Sequence, residues 1–181
     1  MGCHIMQILR GGHMSVYFLT ELDNSFSGRL YVKIGRSKAL KRRIADLQTG
    51  NRRTIALMGE IRTSSIKEDK EIERDLHDRF SDKSDTREWY FLSIEDVITG
   101  LKQYSATAYI TVGKDAFEIV SYDRDAVPEF ASPWLWGDVD VYEFCPNCGW
   151  ACGWTYSESF GGDLCLECGA SEHDYDTSNP D

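Results

Sequence analysis

No apolar run in the 181 residues approaches the roughly 20 that a membrane-spanning helix needs, which excludes a helical integral membrane protein. The opening stretch, Met1 to Met14, lacks the continuous apolar core of a secretion signal and is set aside as an extension. Cysteine is missing between Cys3 and a cluster of five at positions 145–168. A secreted disulfide framework spreads its cysteines through the fold, so this clustering points to a metal site in a reducing, cytoplasmic compartment. Lys and Arg are absent after Arg124. The chain as a whole, 41% hydrophobic and 28% charged, has the balance of a soluble globular protein.

The net charge of −10 hides two unlike halves. Residues 15–103 carry 17 Lys and Arg against 15 Asp and Glu, whereas 104–181 carry two against 15. Such asymmetry marks modules with different partners. The chain therefore divides into an extension (1–14), a first module (15–103), a hairpin and connector (104–144) and an acidic tail (145–181).

The first module reads as α+β, a small mixed sheet with packed helices. Ser15–Thr20 and Leu30–Ile34 are short β-branched and aromatic runs joined by turn residues, a hairpin pattern, with Gly35 closing the second strand. Leu40, Ile44 and Leu47 then recur at helical spacing. Ile55–Ile61 is a third strand. Ser65 and Glu68 form a capping-box pattern ahead of a helix with apolar stripe Ile72, Leu76 and Phe80. Trp89–Leu92 is a last strand before a small helix over 94–102. The order is β-β-α-β-α-β.

Three features carry candidate chemistry. Tyr31 and Lys33 share one strand face, with Tyr17 on the partner strand. Arg36, Lys38, Lys41, Arg42 and Arg43, with Arg52 and Arg53 beyond, form a basic stretch that only Asp46 interrupts, suited to a phosphate-rich ligand. Glu73 and His77 lie four apart on one helix face, beside the buried stripe, where a carboxylate can hold a divalent cation. Read singly, the tyrosine and lysine are ordinary strand residues and the Glu–His pair an ordinary surface pair.

Taken in order, Val16-Tyr17, Lys33-Ile34-Gly35, Arg43-Ile44-Ala45-Asp46-Leu47, Glu73-x-x-Leu76-His77 and Glu88-Trp89-Tyr90 resemble the GIY-YIG nuclease superfamily. The likeness is to its phage-associated branch with a Lys-Ile-Gly second motif, and it covers residues 15–95. The resemblance implies a metal-dependent DNA endonuclease. In it Tyr17 helps activate the attacking water, and Lys33 supplies charge in place of the second motif's tyrosine. Arg43 stabilises the phosphoryl oxygens. Glu73 binds one magnesium or manganese ion, and His77 completes the Glu-x-x-Leu-His pattern. Arg36, Lys38, Lys41 and Arg42 are candidates for substrate contact. The sequence departs from the pattern twice. Ser15 replaces the first motif's glycine, and Leu47 stands where some members carry a histidine. A non-catalytic binding module that keeps the fold is the alternative.

In the second module Ala108–Val112 and Phe117–Tyr122 flank Gly113-Lys114-Asp115 as a β-hairpin. Pro128, Pro133, Trp134 and Trp136 suggest an extended connector. Cys145-Pro-Asn-Cys148-Gly and Cys165-Leu-Glu-Cys168-Gly then supply two Cys-x2-Cys knuckles with structural-zinc spacing, and resemble a zinc ribbon for one zinc ion. Cys152 is read as a bystander and His173 as a weaker alternative ligand. Without a cation the ribbon repels DNA, so its partner is a protein or the basic cleft of its own chain.

Overall fold

The computed structural model describes residues 14–22, 29–112, 118–122, 128–131, 134, 139 and 143–174. Two runs rich in β-branched and aromatic residues become β1 (Met14–Glu21) and β2 (Leu30–Ser37), paired antiparallel from Ser15↔Ser37 to Thr20↔Val32. The second strand passes Gly35 instead of ending there, because β1 continues to offer it partners. Next come α1 (Leu40–Gly50), β3 (Ile55–Thr63), α2 (Ile66–Arg79), β4 (Ser84–Thr86), β5 (Trp89–Leu92) and α3 (Ile94–Lys102). With β6 (Ala108–Ile110) they build a six-stranded antiparallel sheet in the order β4-β5-β2-β1-β3-β6.

Helices cover both faces. Central β1 is buried from Ser15 to Thr20, and its alternating side chains divide between two clusters. Tyr17 and Leu19 pack with Ile44 of α1 and Ile55. Val16 and Phe18 pack with Ile72 and Leu76 of α2, Phe80 at its C-cap and Leu101 of α3. The stripe expected on α2 is therefore the buried one.

Half of the expected capping box forms. Ser65 Oγ accepts the Glu68 N–H, but the Glu68 carboxylate turns one residue further back, to Ser64. The reciprocal box belongs to Ser93 and Asp96 at the head of α3.

The hairpin expected within 104–144 shifts by one strand. Ala108–Ile110 pairs with β3, where Gly59 makes room: a Cβ there would lie 2.6 Å from the Tyr109 carbonyl oxygen. Its expected partner becomes β7 (Glu118–Tyr122), paired with β8 (Pro128–Ala131). The turn Gly113–Asp115, and Trp136 of the expected connector, lie outside the described residues. Trp134 and Val139 join the main core, and Trp134 Nε1 donates to the Met58 carbonyl at 2.7 Å. A short ribbon follows, with β9 (Thr155–Ser157) against β10 (Gly162–Leu164).

The ribbon joins the sheet through backbone. Ile110 N–H donates to Gly149 C=O at 2.8 Å, and Ala151 N–H to Ala108 C=O at 3.0 Å. The first knuckle thereby extends β6, three strands away from β2. Among the described residues no helix is long and apolar enough to cross a membrane.

Candidate active site and zinc centre

The first site forms where β5 stops covering β2. Their register runs from Leu30↔Leu92 to Lys33↔Trp89, followed by one bond from Ile34 N–H to the Glu88 carbonyl at 3.0 Å. Among the described strands, Gly35 to Ser37 then have β1 alone as a neighbour. With α1 on one face of the sheet and α2 on the other, side chains from both reach this half-open edge.

Tyr17 is anchored from below and reaches the edge across Gly35. A Cβ at Gly35 would lie 2.7 Å from the Tyr17 hydroxyl, so the glycine of Lys-Ile-Gly is a close-approach position. Arg43 Nε of α1 donates to that hydroxyl at 3.5 Å. Burial raises the phenol's pKa, and the Arg43 guanidinium offsets only part of this, so the phenol stays protonated at neutral pH. Leu47, in the place of a family histidine, packs in the same cluster as Tyr17.

Lys33 is 6% exposed, and its ammonium donates to the Glu88 carboxylate. Burial alone would raise the Glu88 pKa. The Lys33 ammonium, followed by His77 and Arg43, instead holds the carboxyl below its usual range. From the other face, Arg36 Nε donates to Glu73 Oε2 at 2.7 Å. His77 Nε2 lies 3.3 Å from the Ile34 carbonyl, with its ring 5.7 Å from that of Tyr90.

The structure thus brings Tyr17, Lys33, Arg43, Glu73 and His77 to one edge, with Arg36 on Glu73. Lys38, Lys41 and Arg42 stand exposed before and in the first turn of α1, beside this cluster and not within it. Glu88 is the member of the cluster that the pattern left without a role. A signal for it exists: Lys33 lies between Val32 and Ile34 in a buried strand, and a lysine placed there needs a carboxylate. Ser15, at the missing motif glycine, is 2% exposed and donates to Glu60 Oε2 at 2.7 Å.

The second site is the four-cysteine group. Cys145, Cys148, Cys165 and Cys168 bring their sulfurs within 4.8 Å of one another. The Cys145–Cys168 separation is 3.7 Å and that of Cys148–Cys165 is 3.8 Å. A tetrahedral zinc with Zn–S bonds of about 2.3 Å sets its sulfurs about 3.8 Å apart, so the donors fit zinc in both type and spacing. Each knuckle turns on a left-handed glycine, Gly149 at φ +79° and Gly169 at φ +76°. The N–H groups of Asn147 and Cys148 bond the Cys145 sulfur, that of Trp150 bonds Cys148, and that of Ala170 bonds Cys168. Asn147 Nδ2 adds a side-chain bond to Cys168 Sγ at 3.4 Å. These donors favour thiolates and orient them. Cys152 and His173 stand outside the group. Cys152 is exposed, and the His173 ring lies against Phe160 at 5.8 Å.

Fold and sites together define a mixed α+β domain with a charged, half-open sheet edge, joined to a module that can hold zinc. The chain belongs to the T5orf172 domain family, whose model matches residues 14–105, half of the chain. That family is associated with endonuclease-like proteins. No curated protein and no solved structure matches the chain.

Proposed function

We propose that this chain is a metal-dependent endonuclease of the GIY-YIG type that hydrolyses DNA phosphodiesters at the β2 edge. One observation carries the reading: Tyr17 and Arg43, Lys33 and Glu88, and Arg36 and Glu73 meet as three polar pairs beside the stretch of β2 that β5 leaves uncovered. Phosphodiester hydrolysis needs a positioned nucleophile, a fixed cation beside the phosphoryl oxygens and a site for a hard metal. Arg43 and Lys33 supply the cations, and Arg43 also orients the Tyr17 hydroxyl. That hydroxyl, kept protonated by burial, acts as a hydrogen-bonding group that aligns water.

Magnesium binds through one or two carboxylates and keeps several waters, and Glu73 offers one such carboxylate. Such an ion would stabilise the leaving oxygen. Arg36 occupies Glu73 in this arrangement, so Arg36 has to move to a phosphate as the carboxylate is taken up. Lys38, Lys41 and Arg42 extend the positive surface along the strand's path. The zinc ribbon stabilises the far sheet edge and, being acidic, faces away from DNA or toward a protein.

The Arg36–Glu73 pair also supports a second reading, a DNA-binding module whose Glu73 never takes a metal. Plasmid cleavage with magnesium or manganese separates the two. The expected result is metal-dependent nicking or linearisation, reduced at least about 100-fold by Arg43→Ala and by Glu73→Ala. Plasmid binding without cleavage by the zinc-loaded parent rejects hydrolysis and leaves the binding module.

A further inference from the structure

A cavity of about 350 Å³ lies on the α1 face of the sheet, between the first turn of α1, β3, β6 and the Cys148 knuckle. It begins one strand away from the candidate active site. Tyr17 and Glu60 are register partners across β1 and β3, and Glu60 lines the cavity. Leu40, Leu57 and Val112 give it an apolar wall. Its volume lies at the lower end of the range for small-molecule sites, roughly 300–1,000 Å³.

Its polar groups differ from those of a packing defect. The Arg62 guanidinium stacks on the Tyr109 ring, 3.8 Å from its centroid, and Arg62 lines the cavity. Arg62 Nε donates to Glu60 Oε1 at 2.9 Å, and Ser15 occupies Glu60 Oε2. Tyr109 is fixed in turn, its hydroxyl donating to Glu167 Oε1 at 2.9 Å. The result is a flat cation held rigidly beside a carboxylate with acceptor capacity to spare, since a carboxylate offers about four lone-pair sites. Lys41, exposed on α1, adds an ammonium to the lining.

We propose that this cavity is a nucleobase subsite, taking one extruded base of the bound strand, with guanine preferred. Guanidinium planes stack on bases, and the apolar wall supports the base edge. Guanine presents adjacent ring and amino N–H donors to the Glu60 carboxylate. Thymine meets it with one N–H flanked by two carbonyl oxygens, which the carboxylate repels. Lys41 takes the adjoining phosphate. The proposal rests on the DNA reading above and names the feature of DNA that this site selects.

The test is calorimetric titration of the zinc-loaded full chain with dGMP, dAMP, dCMP and dTMP. Saturable dGMP binding in the millimolar range or tighter is expected, at least about tenfold stronger than dTMP binding. Glu60→Gln should abolish that preference and Arg62→Gln should weaken every nucleotide, with thermal midpoint and zinc content confirming the fold. The proposal falls if the parent shows no saturable dGMP binding up to about 10 mM, or if Glu60→Gln keeps the same preference. Plasmid cleavage without mononucleotide binding rejects this subsite alone. Mononucleotide binding without cleavage rejects hydrolysis alone.

Discussion

The sheet is managed in opposite ways on its two sides. At β2 the ladder lapses after Ile34, and the opening is filled by charged side chains from both helical layers. At β6 the edge is closed by another backbone, the first cysteine knuckle, supplied by a ribbon without a single Lys or Arg from 143 to 174. Unpaired edges invite association, and most proteins blunt them. Here the closed edge is held by backbone hydrogen bonds from a knuckle whose cysteines can hold zinc, whereas the open one is lined by paired charges. Zinc, steric and pH perturbations should therefore act on the two places separately.

The largest effect should come from zinc. Structural zinc contributes folding free energy directly, and chelation should lower the thermal midpoint by at least about 10 °C. The loss should be local. Amide exchange at Ile110 and Ala151 should become fast, while Val16 to Phe18 stay protected. Unchanged protection of the Ile110 amide after metal removal would disprove the idea that zinc holds this edge.

A second test uses two glycines with the same turn geometry. Gly149 and Gly169 have nearly equal positive φ, yet their surroundings differ. A Cβ at Gly169 meets nothing within 4 Å, whereas one at Gly149 would lie 2.0 Å from the Ile110 carbonyl oxygen. Gly169→Ala should cost about 1 kcal/mol, from the left-handed backbone alone. Gly149→Ala should cost about 3 kcal/mol or more, because β6 must also retreat. Urea denaturation of both variants at saturating zinc measures the difference. Equal costs would mean that the knuckle merely lies near β6.

These contrasts also indicate what was legible in the sequence. The Ile72, Leu76 and Phe80 stripe and the two Cys-x2-Cys knuckles are local patterns, and local patterns survive folding. The partner of β6 is not local. It depends on Gly59 accepting a close carbonyl, which no periodicity in 108–122 reveals. The dual role of Gly149, turning a knuckle and admitting β6, is hidden for the same reason. Glu88 is the instructive case at the candidate site. It lies 55 residues from Lys33, and only register brings them together. Composition marks 15–103 and 104–181 as unlike, but gives no sign that backbone hydrogen bonds join them.

The smallest predicted effect tests the charge side of the comparison. Lys33 is nearly buried and Glu88 about half-exposed, with side-chain exposures of 8% and 45%. Glu88→Gln leaves a buried ammonium without its counter-charge. The cost at pH 7 should be about 1 kcal/mol, discounted from the fully buried case because solvent reaches Glu88. The carboxyl's folded pKa is depressed, so its contribution is complete above the ordinary carboxylate range and fades as pH falls through the lowered value. Parent and variant should therefore converge in acid, where both carry a neutral group at position 88. Acid also protonates zinc-bound thiolates, but parent and variant share that loss, and it cancels in their difference because the sites lie on opposite sides of the sheet. A difference that stays constant with pH would mean that Glu88 contributes by packing, and that charge does not hold the open edge together.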